Sequence, residues 1–421
     1  MFKFLIFAVL VTAAVARRSP NADFAEKYFQ KYGGRYSTDV IEDALLDVPD
    51  LITKYRYPVE VHKLVTKDKY VLELHRIPHG RDKNNQPDPN KPVVFIMHGL
   101  LSSSAEFVVL GPRRALAYIL AEAGYDVWMG NARGNYYSRE NLVMSPNDRR
   151  NADFWRFSWD EIGNIDLPTF IDYVLEVTGK SKLHYIGHSQ GCTAFLVLNS
   201  LRPEYNEKFL SFQAMAPAAF FIYNEMDLLR NLGPYEAPVK DITYGVLKVG
   251  EVLGKNEVTT WIIVHLCREG TPFHDYCTTR IKGDNEPYIN STLTPLILGH
   301  APAGSSLLQL GHFSQCYNSK DFRRYNHLPI KNIERYGRPV PPSYDLSQIT
   351  TPVYIHYGLG DIVTGYKDTY HLASKLPNLV GMYEVKRPSF NHFDFVWGVD
   401  AREQVYDTIV GILQELDGNK Q

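Results

Sequence analysis

The sequence contains few of the features that mark metal-dependent, nucleotide-binding or nucleic-acid-binding proteins. Its 421 residues include only 4 cysteines, and no Cys/His spacing typical of zinc, no phosphate-binding loop and no dinucleotide-binding fingerprint is present. The formal net charge is −2, without a long run of Lys or Arg, so the charge does not favour nucleic-acid binding. The sequence therefore implies no metal, no cofactor and no nucleic-acid partner.

Long apolar runs are missing beyond the N-terminus, so no later segment reaches the length of a membrane-spanning helix. The first residues differ: Lys3 is followed by an apolar stretch over residues 4–11 and by Ala-Val-Ala at 14–16. This pattern predicts a secretory signal peptide over residues 1–16, cleaved after Ala16, and hence a secreted or lysosomal protein. The alternative is a single N-terminal membrane anchor.

Secretion would place the cysteines in an oxidising compartment. Cys267 and Cys277 lie ten residues apart, and a disulfide between them would contribute about 2–3 kcal/mol. Cys192 is expected to be a small buried packing residue, whereas Cys316 could stay free or exchange with the other pair. Asn290 begins the only N-glycosylation sequon, which predicts an exposed loop.

The apolar patterning predicts an α/β fold. Alternating runs at 59–65 and 70–75, separated by a polar turn, predict an antiparallel hairpin. Continuous apolar runs are typical of parallel strands buried on both faces, and they occur at 93–97, 125–129, 183–186, 212–216, 352–357 and 381–385. Helical patterns at 113–123, 167–178 and 404–416 fall between them, so we expect a mostly parallel central sheet flanked by helices.

The alternation of strands and helices stops over residues 218–345. Pieces at 220–223, 261–266 and 305–310 there, the first two containing aromatic residues, predict helices, separated by Pro and Gly. We therefore expect an α/β core over 17–217 and 346–421, with 218–345 inserted as a helical cap above the sheet. The alternative is a set of ordinary packed helices with no role in substrate choice.

A candidate nucleophile lies in the pentapeptide Gly-His-Ser-Gln-Gly at 187–191. The apolar run before it predicts a strand and the residues after it predict a helix. A serine at such a strand–turn–helix junction stands exposed beside a base, and small flanking glycines avoid collisions across the turn. Ser189 is therefore the predicted nucleophile.

A serine nucleophile needs a general base, and in this kind of fold the chain order is Ser, then Asp or Glu, then His. His392 follows the last predicted strand and precedes the final helix, so it is the predicted base. Asp361 follows the end of the preceding strand and is the predicted acid that orients His392. Asp368 and Asp394 are rivals, although Asp368 fits the following helix and Asp394 fits a brace for the histidine loop.

The anionic tetrahedral intermediate of such a reaction needs hydrogen-bond donors. The backbone amide of Gln190 is adjacent to the nucleophile and is one candidate. The second candidate is the amide of Leu100, in the loop after the predicted strand at 93–97. His98, at the start of that loop, is expected to brace it and not to carry a proton.

Together these segments resemble the acid lipase family, which contains gastric and lysosomal lipases and many secreted insect lipases. The resemblance runs from about residue 50 to 416. Its motifs are Tyr-Pro-Val-Glu at 57–60, Leu-His-Arg-Ile-Pro at 74–78, His-Gly-Leu-Leu at 98–101, Gly-Asn-Ala-Arg-Gly-Asn at 130–135, Phe-Ser-Trp-Asp-Glu at 157–161, the serine pentapeptide, His-Ala-Pro-Ala-Gly-Ser at 300–305 and Asn-His-Phe-Asp-Phe at 391–395. It implies a triad of Ser189, Asp361 and His392, an oxyanion hole of Leu100 and Gln190, and a cap that moves as a lid. The chain departs from the family pattern at Leu359 and at 362–364.

The sequence therefore predicts a lipase that hydrolyses carboxylic esters of lipids, triacylglycerol or sterol ester, at a lipid–water interface through a Ser-His-Asp acyl-enzyme. One alternative is a non-catalytic lipid-binding or yolk-type protein, because function does not follow from fold alone. Another is a carboxylesterase or peptidase acting on soluble substrates. Oligomeric state is left open by the sequence.

Overall fold

A computed structural model describes residues 38–148, 150–224, 226, 236–255 and 293–418. The predicted signal peptide, the Cys267–Cys277 pair, Asn290 and the aromatic run at 261–266 lie outside the described residues. In the described part, no helix has both the length and the apolar character needed to cross a membrane.

The centre of the molecule is a mixed, mostly parallel β-sheet. Within the described residues it has nine strands, ordered β1-β2-β4-β3-β6-β7-β10-β11, with the short β5 paired to β2. β1 and β2 form the predicted antiparallel hairpin, and β2 is also antiparallel to β4. From β4 through β3, β6, β7 and β10 to β11, each strand is parallel to the next. The strands are β1 Glu60–Val65, β2 Tyr70–Ile77, β3 Val93–Met97, β4 Asp126–Gly130, β5 Glu140–Asn141, β6 Leu183–His188, β7 Phe209–Met215, β10 Val353–Tyr357 and β11 Leu379–Glu384. A separate two-stranded sheet pairs β8 Glu251–Val252 with β9 Ser305–Ser306.

Helices connect the parallel strands and cover both faces of the sheet. The described α-helices are Thr38–Leu45, Val48–Lys54, Leu116–Glu122, Trp159–Glu161, Leu167–Thr178, Gln190–Leu201, Glu236–Lys240, Thr294–His300, Leu307–Ser319, Pro329–Tyr336, Tyr366–Ala373, Asp394–Trp397 and Asp407–Leu416. Two of these matter for the site: Gln190–Leu201, here called the elbow helix, and Leu307–Ser319, here called the insertion helix.

Side chains of successive strand residues point to opposite faces, so each face of the sheet has its own core. On one face Phe95 of β3 packs against Phe170 and Tyr185, with ring centroids 5.8 and 5.7 Å away. Its neighbours Val94 and Ile96 belong to the core of the opposite face. Because both faces are covered, a ligand can reach the sheet only at the ends of its strands.

The predicted α/β fold is confirmed, and all six continuous apolar runs correspond to parallel strands. Inside the insertion, one helix prediction is wrong and another is confirmed in part. Residues 220–223 form an irregular segment, because two of its backbone amides donate to the carboxylate of Asp368. At 305–310 the residues Ser305–Ser306 pair as a strand, so the helix there begins only at Leu307.

Candidate active site

Ser189 occupies a strained turn between β6 and the elbow helix. Its backbone φ is 53° and its ψ is −114°, a conformation that costs a non-glycine residue roughly 1–3 kcal/mol. The turn is fixed by two backbone hydrogen bonds: the Ser189 amide donates to Met215 at 3.0 Å, and the Cys192 amide donates to Ser189 at 3.0 Å. The hydroxyl therefore stands at the carboxyl edge of the sheet, where the strand-to-helix pattern predicted it.

The glycines flanking this turn allow a close approach of backbone segments. A Cβ atom at Gly191 would collide with the carbonyl oxygen of Met97, and one at Gly187 would lie 2.7 Å from the amide nitrogen of Cys192. Cys192 itself is a buried free thiol, as is Cys316. The elbow is thus packed directly on the end of β3, whose following loop carries the predicted amide donor.

Three side chains from distant parts of the chain form one hydrogen-bonded series. His392 Nε2 lies 2.9 Å from Ser189 Oγ, and His392 Nδ1 lies 2.8 Å from Asp361 Oδ2. Ser189, His392 and Asp361 are 7%, 5% and 5% exposed, so the series is shielded from water. If Asp361 is ionised, Nδ1 carries the proton and Nε2 is free to accept the serine proton.

The carboxylate of Asp361 is held by further donors. Its Oδ1 accepts from the amides of Val363 and Thr364, both at 2.8 Å, and Oδ2 accepts from the Thr364 hydroxyl at 2.8 Å. Burial by itself raises the pKa of a carboxyl, but His392 and these donors outweigh it and hold the pKa of Asp361 below its usual value. The acid therefore stays ionised and fixes the imidazole tautomer.

The loop that carries the predicted Leu100 donor approaches the elbow that carries the predicted Gln190 donor. Gln190 follows Ser189 in the chain, and the Leu100 loop contacts the elbow because a Cβ on Gly99 would lie 3.3 Å from the Ser189 Cβ. Within the described part of the chain, neither the Leu100 amide nor the Gln190 amide donates a hydrogen bond. Leu101 in this loop has a backbone φ of 62°, in the left-handed region. Its carbonyl accepts a hydrogen bond from the Ala303 amide at 2.8 Å, which connects the loop to the insertion.

The remaining candidates lie around this series without joining it. Asp368 belongs to the helix Tyr366–Ala373 and accepts from the irregular segment at 222–223. Asp394 accepts from the Asn391 amide at 2.8 Å and so braces the histidine loop. His98 lies 2.8 Å from the Gly99 carbonyl through Nδ1 and accepts from Ala132 through Nε2 at 3.1 Å.

Two contacts of this site were not anticipated from the sequence. The carboxylate of Glu106 contacts His188 of the pentapeptide at 3.2 Å. The side chain of Gln190 donates to Gln309 of the insertion helix at 2.7 Å. The partners are 82 and 119 residues apart, so no sequence pattern pairs them. For Glu106, the one available signal is a charged residue at the end of the small polar run that follows the His-Gly-Leu-Leu motif.

Known protein families and curated proteins match most of this chain. A family model described as a partial alpha/beta-hydrolase lipase region matches residues 48–111, and one described as the alpha/beta hydrolase fold matches 92–233. The chain is 40% identical over 380 residues to Lipase 1 of Drosophila melanogaster, covering 89% of this chain and 81% of that protein. It is 34% identical over 377 residues to gastric triacylglycerol lipase of Homo sapiens, covering 89% and 92%.

The chain belongs to the acid lipase family. It is an α/β-hydrolase and an ester-hydrolysing serine hydrolase. A solved structure of a putative lipase from Sulfolobus solfataricus supports the fold of this lipase, with a TM-score of 0.54 at 12% identity, covering 85% of this chain and 94% of that chain.

Because of Asp394, we expect the unfolding free energy of this lipase to depend on pH. Its side chain is fully buried, and burial raises its pKa to about 6 despite the Asn391 amide and Arg387 beside it. A carboxyl whose pKa is raised on folding stabilises the fold below its unfolded pKa near 4 and loses that contribution as the pH rises through about 6. The resulting decrease in the free energy of unfolding is about 3 kcal/mol at most.

We expect Asp394→Asn to flatten the dependence of unfolding free energy on pH between about 4 and 7. Asparagine can place its carbonyl at Oδ2, which accepts from Asn391, and its amide at Oδ1, which has no partner among the described residues. The unpaired amide lowers stability equally at every pH, so the slope is the informative quantity. Urea unfolding of both proteins at several pH values measures it, and an unchanged slope would contradict the assignment.

Proposed function

We propose that this protein hydrolyses carboxylic esters of lipids through an acyl-enzyme on Ser189, with His392 as general base and Asp361 as the acid that orients it. The observation that carries the proposal is the 2.9 Å separation of His392 Nε2 and Ser189 Oγ on a strained strand-to-helix turn. No structural role of the Ser189 hydroxyl explains why its backbone is strained. A base within hydrogen-bond reach makes such a hydroxyl a nucleophile.

The proposed reaction has two steps. In the first, His392 Nε2 takes the Ser189 proton while Oγ attacks the ester carbonyl, and the amides of Leu100 and Gln190 donate to the resulting oxyanion. The tetrahedral intermediate collapses, the imidazolium gives its proton to the departing alcohol, and an acyl-serine remains. In the second step His392 takes a proton from water, and the hydroxyl attacks the acyl carbonyl to form a second tetrahedral intermediate. The bond from the acyl carbon to Ser189 Oγ then breaks, His392 returns its proton to Oγ, and the fatty acid leaves.

Triacylglycerol or sterol ester at a lipid–water interface is the proposed substrate. The relatives named gastric triacylglycerol lipase support this substrate class. Apolar side chains exposed to solvent support contact with a lipid surface. They include Leu359 and Ile362 on the turn that carries Asp361, and Ile242, Val246 and Leu247 within the insertion.

The insertion at 218–345 is proposed to act as a lid. Ser189 is only 7% exposed, so little of this residue is open to an ester in this arrangement of the chain. The insertion helix contributes to this closure because Gln309 contacts Gln190, the residue after the nucleophile. We further propose that the protein is secreted or lysosomal, as the N-terminal residues predict.

A panel of esters tests the substrate class. We expect hydrolysis of emulsified triacylglycerol or cholesteryl ester, with a rate that rises once the substrate forms an interface, because the lid then opens onto lipid. Fatty-acid release at constant pH measures it. Turnover of soluble short-chain esters alone would indicate a carboxylesterase. Absence of turnover on every ester, together with no labelling of Ser189 by a fluorophosphonate, would indicate a lipid-binding protein.

A further inference from the structure

A buried carboxylate lies directly behind the proposed catalytic residues. Glu106 is 4% exposed, and its Oε1 accepts from the Gly99 amide at 3.2 Å and contacts His188 Nδ1 at 3.2 Å. The Ser102 side chain also donates to it. An isolated buried carboxylate is strongly destabilising, so these partners must be in place for the charge to persist.

The hydrogen bonds of His188 orient its ring. Its Nε2 lies 3.1 Å from the carbonyl oxygen of His392, and a carbonyl can only accept, so Nε2 donates. Its Nδ1 faces the Glu106 carboxylate at 3.2 Å. The result is a buried histidine–carboxylate pair. Burial would raise the pKa of Glu106, but His188, together with His98 and the Ser102 side chain, outweighs burial and holds that pKa below its usual value.

This pair connects three segments that the proposed reaction needs in register. Gly99 immediately precedes the Leu100 amide, and a Cβ on Gly99 would lie 3.3 Å from both His188 Nδ1 and the Ser189 Cβ. His188 immediately precedes Ser189, and its ring centroid lies 4.9 Å from that of His392. The Glu106 carboxylate therefore connects the loop that carries the Leu100 amide to the elbow. Through His188 it also connects to the loop that carries His392.

We propose that Glu106 is a positioning residue for ester hydrolysis, holding the Leu100 amide, Ser189 and His392 in mutual register through its contact with His188. The proposal rests on the proposed function, since it assigns Glu106 a role in that reaction. Glu106 touches neither the ester nor the reacting atoms. It acts on the transition state because the oxyanion bonds and the proton transfer depend on the relative placement of these three segments, whereas ground-state binding of the acyl chain does not.

The test is the Glu106→Gln variant, which keeps the size of the side chain and removes its charge. On a soluble short-chain ester we expect kcat to fall about 10- to 100-fold, less than the loss of a whole oxyanion donor. KM should stay within about twofold, because this interaction is made in the transition state. The affinity for an alkyl boronic acid, which forms a tetrahedral adduct on serine, should fall in parallel with kcat.

A matched control is available on the same strand. His184 of β6 is buried and lies 3.1 Å from Asp417 Oδ1. Asp417→Asn therefore removes a carboxylate from a buried histidine at the opposite end of β6. We expect this variant to keep the wild-type kcat and boronic acid affinity, even if its melting temperature falls as much as that of Glu106→Gln.

Two results would overturn the positioning role: a Glu106→Gln variant with wild-type kcat, or one whose kcat loss is matched by the Asp417→Asn control. If Glu106→Gln does not fold, His188→Gln tests the same pair from its other side, and an unchanged kcat there also overturns the role. A wild-type protein with no esterase activity contradicts the proposed function itself, which separates the two failures.

Discussion

Replacing Ser189 with alanine is expected to reduce kcat about 10⁶-fold, to a level indistinguishable from background, while the protein stays folded. The acyl group has no other acceptor, because the hydroxyl that His392 Nε2 contacts at 2.9 Å is removed. Release of fatty acid from an emulsified ester measures the loss, and circular dichroism checks the fold. His392→Ala should lose about as much, and the double variant little more, because the two residues act as a unit.

The chain contains a close control for this prediction. Ser211 Oγ lies 2.8 Å from His184 Nδ1, and His184 Nε2 lies 3.1 Å from Asp417 Oδ1, so a second Ser-His-Asp series exists. Ser211 is fully buried within a regular strand, without a strained turn. The Ser211→Ala variant should therefore hydrolyse esters at the wild-type rate. Retained activity in Ser189→Ala would assign the nucleophile elsewhere.

Asp361→Asn is expected to lower kcat about 10⁴-fold with little change in KM. An asparagine amide facing His392 Nδ1 would donate, so the imidazole would carry its proton on Nε2, the nitrogen that must accept from Ser189. The amides of Val363 and Thr364 can still donate to the asparagine carbonyl, so the turn should keep its shape. Steady-state assays with a short-chain ester measure kcat and KM of the variant and of the wild type.

The control for this variant is Asp417→Asn, which makes the same substitution beside a buried histidine outside the site. That variant should retain wild-type kcat. If Asp361→Asn retained activity as well, the acid would have to be sought at Asp368 or Asp394. In this structure the carboxylate bonded to His392 Nδ1 is that of Asp361, whereas Asp368 accepts from residues 222–223 and Asp394 accepts from the Asn391 amide.

The sequence predicted the α/β sheet well because buried parallel strands need apolar residues on both faces. The run at 93–97 coincides with β3, and the run at 167–178 coincides with a helix. Within the insertion the prediction is wrong at 220–223, where the aromatic residues indicate a helix and the structure has an irregular segment. The backbone there follows a long-range bond to Asp368, which no local pattern contains.

The sequence by itself determined the strand–turn–helix context of Ser189 and the chain order of Ser189, Asp361 and His392, because local turn chemistry and the order of elements are written along the chain. Only the tertiary structure decided which buried polar side chains meet. Glu106 and His188 are 82 residues apart, and their contact follows from the adjacency of β3 and β6 in the sheet. A buried carboxylate and an imidazole need each other to offset the loss of water, and which pair does so depends on strand order, which the sequence pattern does not specify.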